Sequence, residues 1–282
     1  MRPFAYERPT RLAAALALLA DGQDARPLAG GTDLIIRLRD GSLRPRTVVD
    51  VKGIAEFDRD IRVADGWLRV GAQVTMTDLL RDMRIRHDYA ALAEAAAYVG
   101  SVQIRNRATL AGNICNASPA ADTAPALLVY GARVVAVGQE GPRTIPLDEF
   151  FVRSGVTTLK PGELVQAIEM PLPSGRRGAV HARRTRRRGH DLASVTLAVA
   201  IDAAGRTRVA YGSVGPRPVL VTDETGILGD PAASDEAKRD RLDALFADAS
   251  PSPTSMRASP AYRLAMLPVM GVRAIALAHE RV

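Results

Sequence analysis

Cysteine is nearly absent from this chain: Cys115 stands alone among 282 residues. An intrachain disulfide is excluded, and so is any zinc or iron–sulfur site built from this chain's own thiolates. A lone thiol fits a reducing compartment, so the cytoplasm is the expected location. Histidine is scarce as well: His87, His181, His190 and His279 are scattered, without metal-ligand spacing. Aromatic residues make up only 4%, so alanine, valine and leucine must fill the core. Long apolar runs are missing. Leu12–Ala20 is apolar but short, with acidic and glycine residues after it, so neither a secretory signal nor a membrane span is expected. A G-x-G-x-x-G fingerprint is lacking, which argues against a Rossmann site. A Walker lysine is lacking too, which argues against nucleotide hydrolysis.

Apolar residues reach 47% of the chain and the formal charge is +7. That composition describes a folded globular protein long enough for two domains. Much of the positive excess sits in Arg183-Arg184-Thr185-Arg186-Arg187-Arg188. Such runs usually form a solvated face, and this one could instead dock an acidic partner. The aromatics that would stack on bases are absent around it, which disfavours a nucleic-acid-binding module.

Two glycine-centred stretches carry most of the chemistry, Ala29-Gly30-Gly31-Thr32-Asp33 and Thr109-Leu110-Ala111-Gly112-Asn113. Glycine has no Cβ, so main-chain N–H groups can approach phosphate oxygens directly. Thr and Asn add side-chain hydrogen bonds. Gly-Gly alone most often marks a turn, and Thr32 and Asp33 could simply cap the next helix. Asn113 could be a turn residue, and Asp122 an N-cap for a helix at Ala126. Two such stretches in one chain suggest two walls of one cofactor site. Cys115 reads as a small buried residue rather than a nucleophile.

Periodicity and punctuation predict the elements. Thr10 caps a helix from Arg11 to Ala20 that Asp21-Gly22 ends, and Ala25–Leu28 is a strand entering the first glycine loop. Asp33–Leu38 is helical, Thr47–Val51 is a strand, and Asp65-Gly66 closes a hairpin. Thr77 caps a helix through Met83, and Tyr89–Val99 is helical. Ile114 to Pro125 resists regular structure, and Ala126–Tyr130 is helical. Strands follow at Arg133–Val137 and Leu164–Met170, with a helical turn between them at Pro146–Phe151. The stretch Pro171-Leu172-Pro173-Ser174-Gly175 marks a boundary between domains at 1–175 and 176–282. Beyond it lie strands at Ala179–Thr185, Ala193–Asp202 and Arg206–Val214, then helices at Ala233–Asp248 and Ser259–Arg281. Strands first and helices last make the second region α+β.

At the two glycine stretches the chain resembles a known family, the FAD-binding medium subunit of molybdenum hydroxylases of the xanthine dehydrogenase and carbon monoxide dehydrogenase type. Phe4-x-Tyr6-x-x-Pro9, Ala29-Gly30-Gly31-Thr32-Asp33-Leu34, Gln103-Ile104-Arg105-Asn106, Thr109-Leu110-Ala111-Gly112-Asn113-Ile114 and Ala117-Ser118-Pro119-Ala120-Ala121-Asp122 carry the likeness, which runs nearly end to end. The resemblance implies an α+β fold: a p-cresol methylhydroxylase-type FAD domain of two α+β subdomains, then a small C-terminal α+β domain of the carbon monoxide dehydrogenase flavoprotein type. It implies non-covalent FAD held by Leu28, Ala29, Gly30, Gly31, Thr32, Asp33 and Leu34 on one side. Ala108, Thr109, Gly112, Asn113 and Ser118 would hold it from the other. Asp122 would bind hydroxyls and Val165 would contact the adenine side through its backbone. Arg183 or Arg184 stands where the family often has lysine, and Ala111 where it commonly has glycine. No cysteine-rich insertion is present.

By the same resemblance this chain holds neither catalytic residues nor a metal. The molybdenum cofactor would belong to a large partner subunit and two [2Fe–2S] clusters to a small one. NAD, a quinone or another acceptor would receive the electrons. A self-contained FAD oxidoreductase of the same fold is the alternative enzyme, and a basic nucleic-acid-binding protein the non-enzymatic one.

Overall fold

The computed structural model describes residues 2–20, 24–187, 189 and 191–282. The expected helix end at Asp21-Gly22, together with Arg188 and His190, lies outside these residues. The first elements are β1 (Ala5–Glu7), α1 (Leu12–Leu19), β2 (Ala25–Leu28), α2 (Leu34–Arg39) and β3 (Thr47–Asp50). Then come β4 (Ile61–Ala64), β5 (Trp67–Gly71), α3 (Met76–Arg81), α4 (Met83–Asp88), α5 (Ala90–Ala97), α6 (Val102–Arg105), α7 (Leu110–Cys115) and α8 (Thr123–Val129). The middle of the chain forms β6 (Arg133–Gly138), β7 (Gly141–Pro146), α9 (Leu147–Phe150), β8 (Phe151–Arg153), β9 (Val156–Thr157) and β10 (Leu164–Pro171). The last elements are β11 (Arg177–Arg184), β12 (Val195–Asp202), β13 (Thr207–Gly212), β14 (Val219–Asp223), α10 (Asp235–Leu245) and α11 (Pro260–His279).

Three main sheets organise the chain, and the mixed α+β character agrees with the expected class. A three-stranded parallel sheet runs β1-β3-β2, and a five-stranded antiparallel sheet runs β4-β5-β10-β6-β7. The C-terminal sheet is the antiparallel meander β11-β12-β13-β14. The β4–β5 hairpin forms as expected, with Asp65 and Gly66 both at positive φ (51° and 80°). That geometry matches the right-handed twist of the flanking strands.

β12 explains how the two halves join. Its run Val195–Ile201 is buried throughout, as expected where both faces of a strand are covered. Val195, Leu197, Val199 and Ile201 pack with Leu267, Ala274 and Ile275 of α11 in one core. The alternate residues Ala198 and Ala200 belong to the other core, with Ala91, Ala95 and Ala124 of α5 and α8. Small side chains on this second face let the sheet lie close on those helices. α11 is the one helix among the described residues long and apolar enough to span a membrane, but 44% of its apolar window is buried inside the fold.

Several local expectations need correction. α1 starts from Arg11, not from a Thr10 cap, and has no side-chain cap bond. The helix expected from Thr77 to Met83 is two. Thr75 caps α3 in a capping box with Asp78, and Asp82 breaks the helix and caps α4 through the amides of Arg84 and Ile85. Thr77 instead lies inside α3 and donates to Asn106 Oδ1 at 2.6 Å. The second glycine stretch is not a loop: Leu110–Cys115 is helical, with Thr109 as its N-cap.

Candidate functional site

The first glycine stretch connects β2 to α2. Gly31 has φ +78°, a conformation that glycine adopts without the Cβ penalty other residues meet. Its carbonyl accepts the Ile35 amide at 3.0 Å and so begins the helix. Gly30 is needed for space. A Cβ added there would lie 2.0 Å from the Arg107 carbonyl oxygen, well inside contact distance. The first stretch therefore rests on the main chain that leads into the second.

The second stretch is pinned from the other side. Met76 N–H donates to the Ala108 carbonyl at 2.9 Å and Leu110 N–H to the Val74 carbonyl at 3.1 Å. Thr109 Oγ1 accepts the Gly112 amide at 3.0 Å, and a Cβ on Gly112 would stand 2.8 Å from that oxygen. Glycine at 112 thus leaves room for the Thr109 cap. Ala111 is buried in α7 and is not among the residues with positive φ, so its methyl group costs no backbone strain. Asn113 is helical rather than a turn residue, and its Oδ1 accepts Thr123 Oγ1–H at 2.6 Å.

Between the two stretches lies a cleft of about 250 Å³. Ala29, Gly30 and Thr109 line it together with Thr75, Gln73 and Asn106. Four cations, Arg8, Lys52, Arg59 and Arg107, complete the lining, and no carboxylate is among the lining residues. Lys52 is held in place: its Nζ lies 2.6 Å from Asp50 Oδ1 and 3.3 Å from the Ala29 carbonyl. Asp50 is buried and accepts Tyr6 O–H at 2.5 Å on its other oxygen. Burial opposes the Asp50 charge, but hydrogen bonds from Lys52 and Tyr6 outweigh it and hold this carboxyl below the usual range. Arg59 donates to the Lys52 carbonyl at 2.5 Å. Ordered main chain beside fixed cations suits a polyanionic ligand.

The row of contacts continues beyond the cleft. Thr123 follows Asp122, the residue at the N-cap position of α8, but the Asp122 side chain makes no cap bond. Its carboxylate turns to the C-terminal sheet instead, accepting Arg183 Nη1 at 3.0 Å and lying 3.4 Å from both Thr196 Oγ1 and His181 Nε2. Arg183 also sits over the Tyr98 ring, 4.9 Å from its centroid. Arg184, next on β11, points to the opposite face and donates to Tyr262 O–H at 3.0 Å. Of the two arginines, Arg183 is therefore the one joined to Asp122.

The remaining residues expected at the site are placed as follows. Leu28 ends β2 and lies under Gly31, where a Cβ would meet its Cδ1 at 2.9 Å. Leu34 starts α2. Asp33 occupies the N-cap position without a side-chain cap bond, and desolvation, partly offset by Arg37, raises its carboxyl above the ordinary value. Thr32 does not cap the helix either. Ser118 Oγ accepts the Ala120 amide at 3.3 Å, just after Ala117 turns the chain at φ 45°. Val165 is buried in β10, in register with Ala136, and does not line the cleft. Burial pushes the Cys115 thiol up to about 12, which suppresses the reactive thiolate.

Residues 2–173 match the model of the FAD binding domain in molybdopterin dehydrogenase. The chain belongs to that family. Residues 181–278 match the carbon monoxide dehydrogenase flavoprotein C-terminal domain. The putative xanthine dehydrogenase FAD-binding subunit of Escherichia coli is 31% identical over 275 residues, 96% of this chain and 94% of that one. The carbon monoxide dehydrogenase medium chain of Hydrogenophaga pseudoflava is 30% identical, covering 99% of this chain and 98% of its own. A solved carbon monoxide dehydrogenase from the same organism superposes with a TM-score of 0.90 at 29% identity, over 100% of this chain and 99% of that one. The fold is therefore the FAD-binding and C-terminal pair of the carbon monoxide dehydrogenase flavoprotein, and the chain is an FAD-binding flavoprotein subunit of the molybdenum hydroxylase oxidoreductases.

The residues present fit FAD. Gly30 brings the first stretch against the Arg107 main chain, where a Cβ would clash, and the cleft between the two stretches is lined by four cations with no carboxylate among the lining residues. Reading the sequence missed Arg8, Lys52, Arg59 and Arg107, because each is a lone cation outside any glycine motif. A signal existed for Arg107, which directly precedes Ala108-Thr109, and for Lys52, two residues after the strand-end Asp50.

Proposed function

We propose that this chain binds FAD non-covalently across the cleft and serves as the electron-transfer subunit of a molybdenum hydroxylase. Electrons would arrive from [2Fe–2S] clusters of a small partner subunit and leave to an external acceptor such as NAD or a quinone. The observation that carries the reading is the unbroken row of contacts from Ala29-Gly30 through Arg107-Ala108-Thr109 and Asn113 to Thr123-Asp122 and Arg183. That row joins both glycine stretches to the C-terminal domain. FAD, when bound, exchanges electrons one at a time or in pairs.

The chain's own residues do the binding. The main chain at Gly30 and Gly31, with Thr32, would meet one side of the pyrophosphate, and Thr109, Gly112 and Asn113 the other. Lys52, Arg59 and Arg107 would neutralise its charge. Asp122 would orient hydroxyls of the cofactor, with Arg183 fixing its carboxylate. Leu28, Leu34, Ala108 and Ser118 would support these segments, and Val165 would approach the adenine side.

The molybdenum cofactor and the clusters are assigned to partner chains. A [2Fe–2S] cluster takes four protein ligands, usually cysteines, and this chain has one. Relatives are named as a caffeine dehydrogenase subunit beta and carbon monoxide dehydrogenase medium chains, which supports a multi-subunit setting. The test is the absorption spectrum of the purified chain. An oxidised-flavin spectrum, with flavin released by acid or heat, is expected. Stoichiometric binding of a nicotinamide cofactor without flavin would overturn the reading. Co-purification with a cluster-bearing small subunit separates the electron-transfer role from a self-contained oxidoreductase, which would turn over substrate alone.

A further inference from the structure

A second concavity of about 480 Å³ lies on the far face of the C-terminal sheet, between the end of β11 and the start of α11. Its wall carries Arg184, Arg186 and Arg257 with Ser194, Ser259 and Tyr262. The three guanidinium groups come from two separate segments of the chain. Arg186 is matched by Asp191, 3.1 Å away. Arg184 donates only to the Tyr262 hydroxyl, and Arg257 has no carboxylate within ion-pair distance among the described residues. Behind the wall, Arg263 is 2% exposed and bonds only the Ser213 carbonyl and the Ser255 hydroxyl, and its Nε has no partner. Four arginines thus share one carboxylate.

We propose that this pocket is an anion site for a phosphate group. Two unneutralised guanidiniums at its rim, Arg184 and Arg257, match the charge of a phosphate, about −1.5 to −2 at neutral pH, better than that of a single carboxylate. Guanidinium forks also fit phosphate oxygens in pairs, and the hydroxyls of Ser194 and Tyr262 supply further donors. Burial, then the neighbouring Arg186, holds the Arg257 guanidinium below its ordinary value. Asp191 offsets this only in part, and an anion in the pocket would relieve the rest. The site is separate from the FAD cleft and does not depend on the FAD reading.

The test is calorimetric titration of the full chain, saturated with FAD so that the first cleft is filled, at constant ionic strength. Inorganic phosphate and adenosine monophosphate are the two probes. Saturable binding of either, weakened tenfold or more in Arg257→Gln and in Arg184→Gln while Arg62→Gln leaves it unchanged, is the expected result. Tighter binding of the nucleotide assigns the phosphate to an organic carrier, and equal binding assigns free phosphate. The flavin spectrum and melting temperature check that each variant is folded, and Arg257→Lys should restore part of the affinity. No saturation by roughly 10 mM of either probe, or equal affinity in the Arg257→Gln and Arg184→Gln variants, overturns the proposal.

Discussion

Gly30 lies so close to the carbonyl of Arg107 that even a methyl group at 30 would stand 2.0 Å from that oxygen. The obstacle is main chain, so no side-chain rotation relieves it. Gly30→Ala should therefore separate the two stretches and release FAD. We expect flavin content to fall at least tenfold, with about 1–3 kcal/mol lost from stability by overpacking. Gly66→Ala is a comparison that meets no atom within 4 Å and bears only the strain of its positive φ. If Gly30→Ala retains full flavin, the cradle is not where FAD binds.

Lys52 should act on affinity rather than on folding. Its ammonium is held by Asp50 and the Ala29 carbonyl, and Lys52 lines the cleft. Losing one hydrogen bond to a charged group costs about 1.5–3 kcal/mol. Lys52→Ala should raise the FAD dissociation constant by roughly tenfold or more, read by flavin fluorescence quenching, and Lys52→Arg should recover part of it.

Asp50 provides the pH dependence. Its folded carboxyl titrates below the unfolded value of about 3.9, because hydrogen bonds from Lys52 and Tyr6 overcome desolvation. Its stabilising contribution is fully present above that unfolded value and disappears as pH falls through the lower folded one. Melting temperatures of the chain and of Asp50→Asn should therefore differ at pH 6 and converge towards the acid end. A difference that grows on acidification would contradict the assignment.

Arg183 and Asp122 form a buried pair, with side chains 7% and 9% exposed. Removing one partner strands the other's charge, at about 3–5 kcal/mol. Arg183→Ala should destabilise the chain by that amount in denaturant unfolding. The double variant Arg183→Gln with Asp122→Asn should cost clearly less, and strict additivity of the two changes would show the pair is not coupled.

Cys115 should be unreactive. With its thiol pushed up to about 12, alkylation of the native chain by iodoacetamide at pH 8 should proceed at least tenfold slower than in the denatured chain. Equal rates would place the sulfur in solvent.

Long, strongly patterned elements were legible in the sequence. The hairpin at Asp65-Gly66, the strand within Ala193–Asp202 and the helix within Ser259–Arg281 each form where the sequence leads us to expect them. The misses share a different cause. Neither β7 nor β14 is among the expected strands; β7 carries Pro142 and Pro146, and β14 follows Pro216-Arg217-Pro218. Each lies at a sheet edge, the place where a strand tolerates a missing N–H. The Thr75 cap was overlooked because Thr77 is the more obvious hydroxyl, and only the contact to Asn106 shows where Thr77 is used. At the site, the glycine positions were readable because glycine marks backbone need. The cations of the cleft were not, since a lone lysine or arginine acquires its role only when distant segments meet.

With β12 walled in on both sides, prising the C-terminal sheet from α5 and α8 would wet the alanines along the seam while leaving α11 attached. Along that seam the alanines give a hinge only apolar surface to open onto, and the Arg183–Asp122 pair ties the same junction beside them. The two halves should accordingly melt in a single calorimetric event, and the flavoprotein should behave as one block, with any swinging left to its partners.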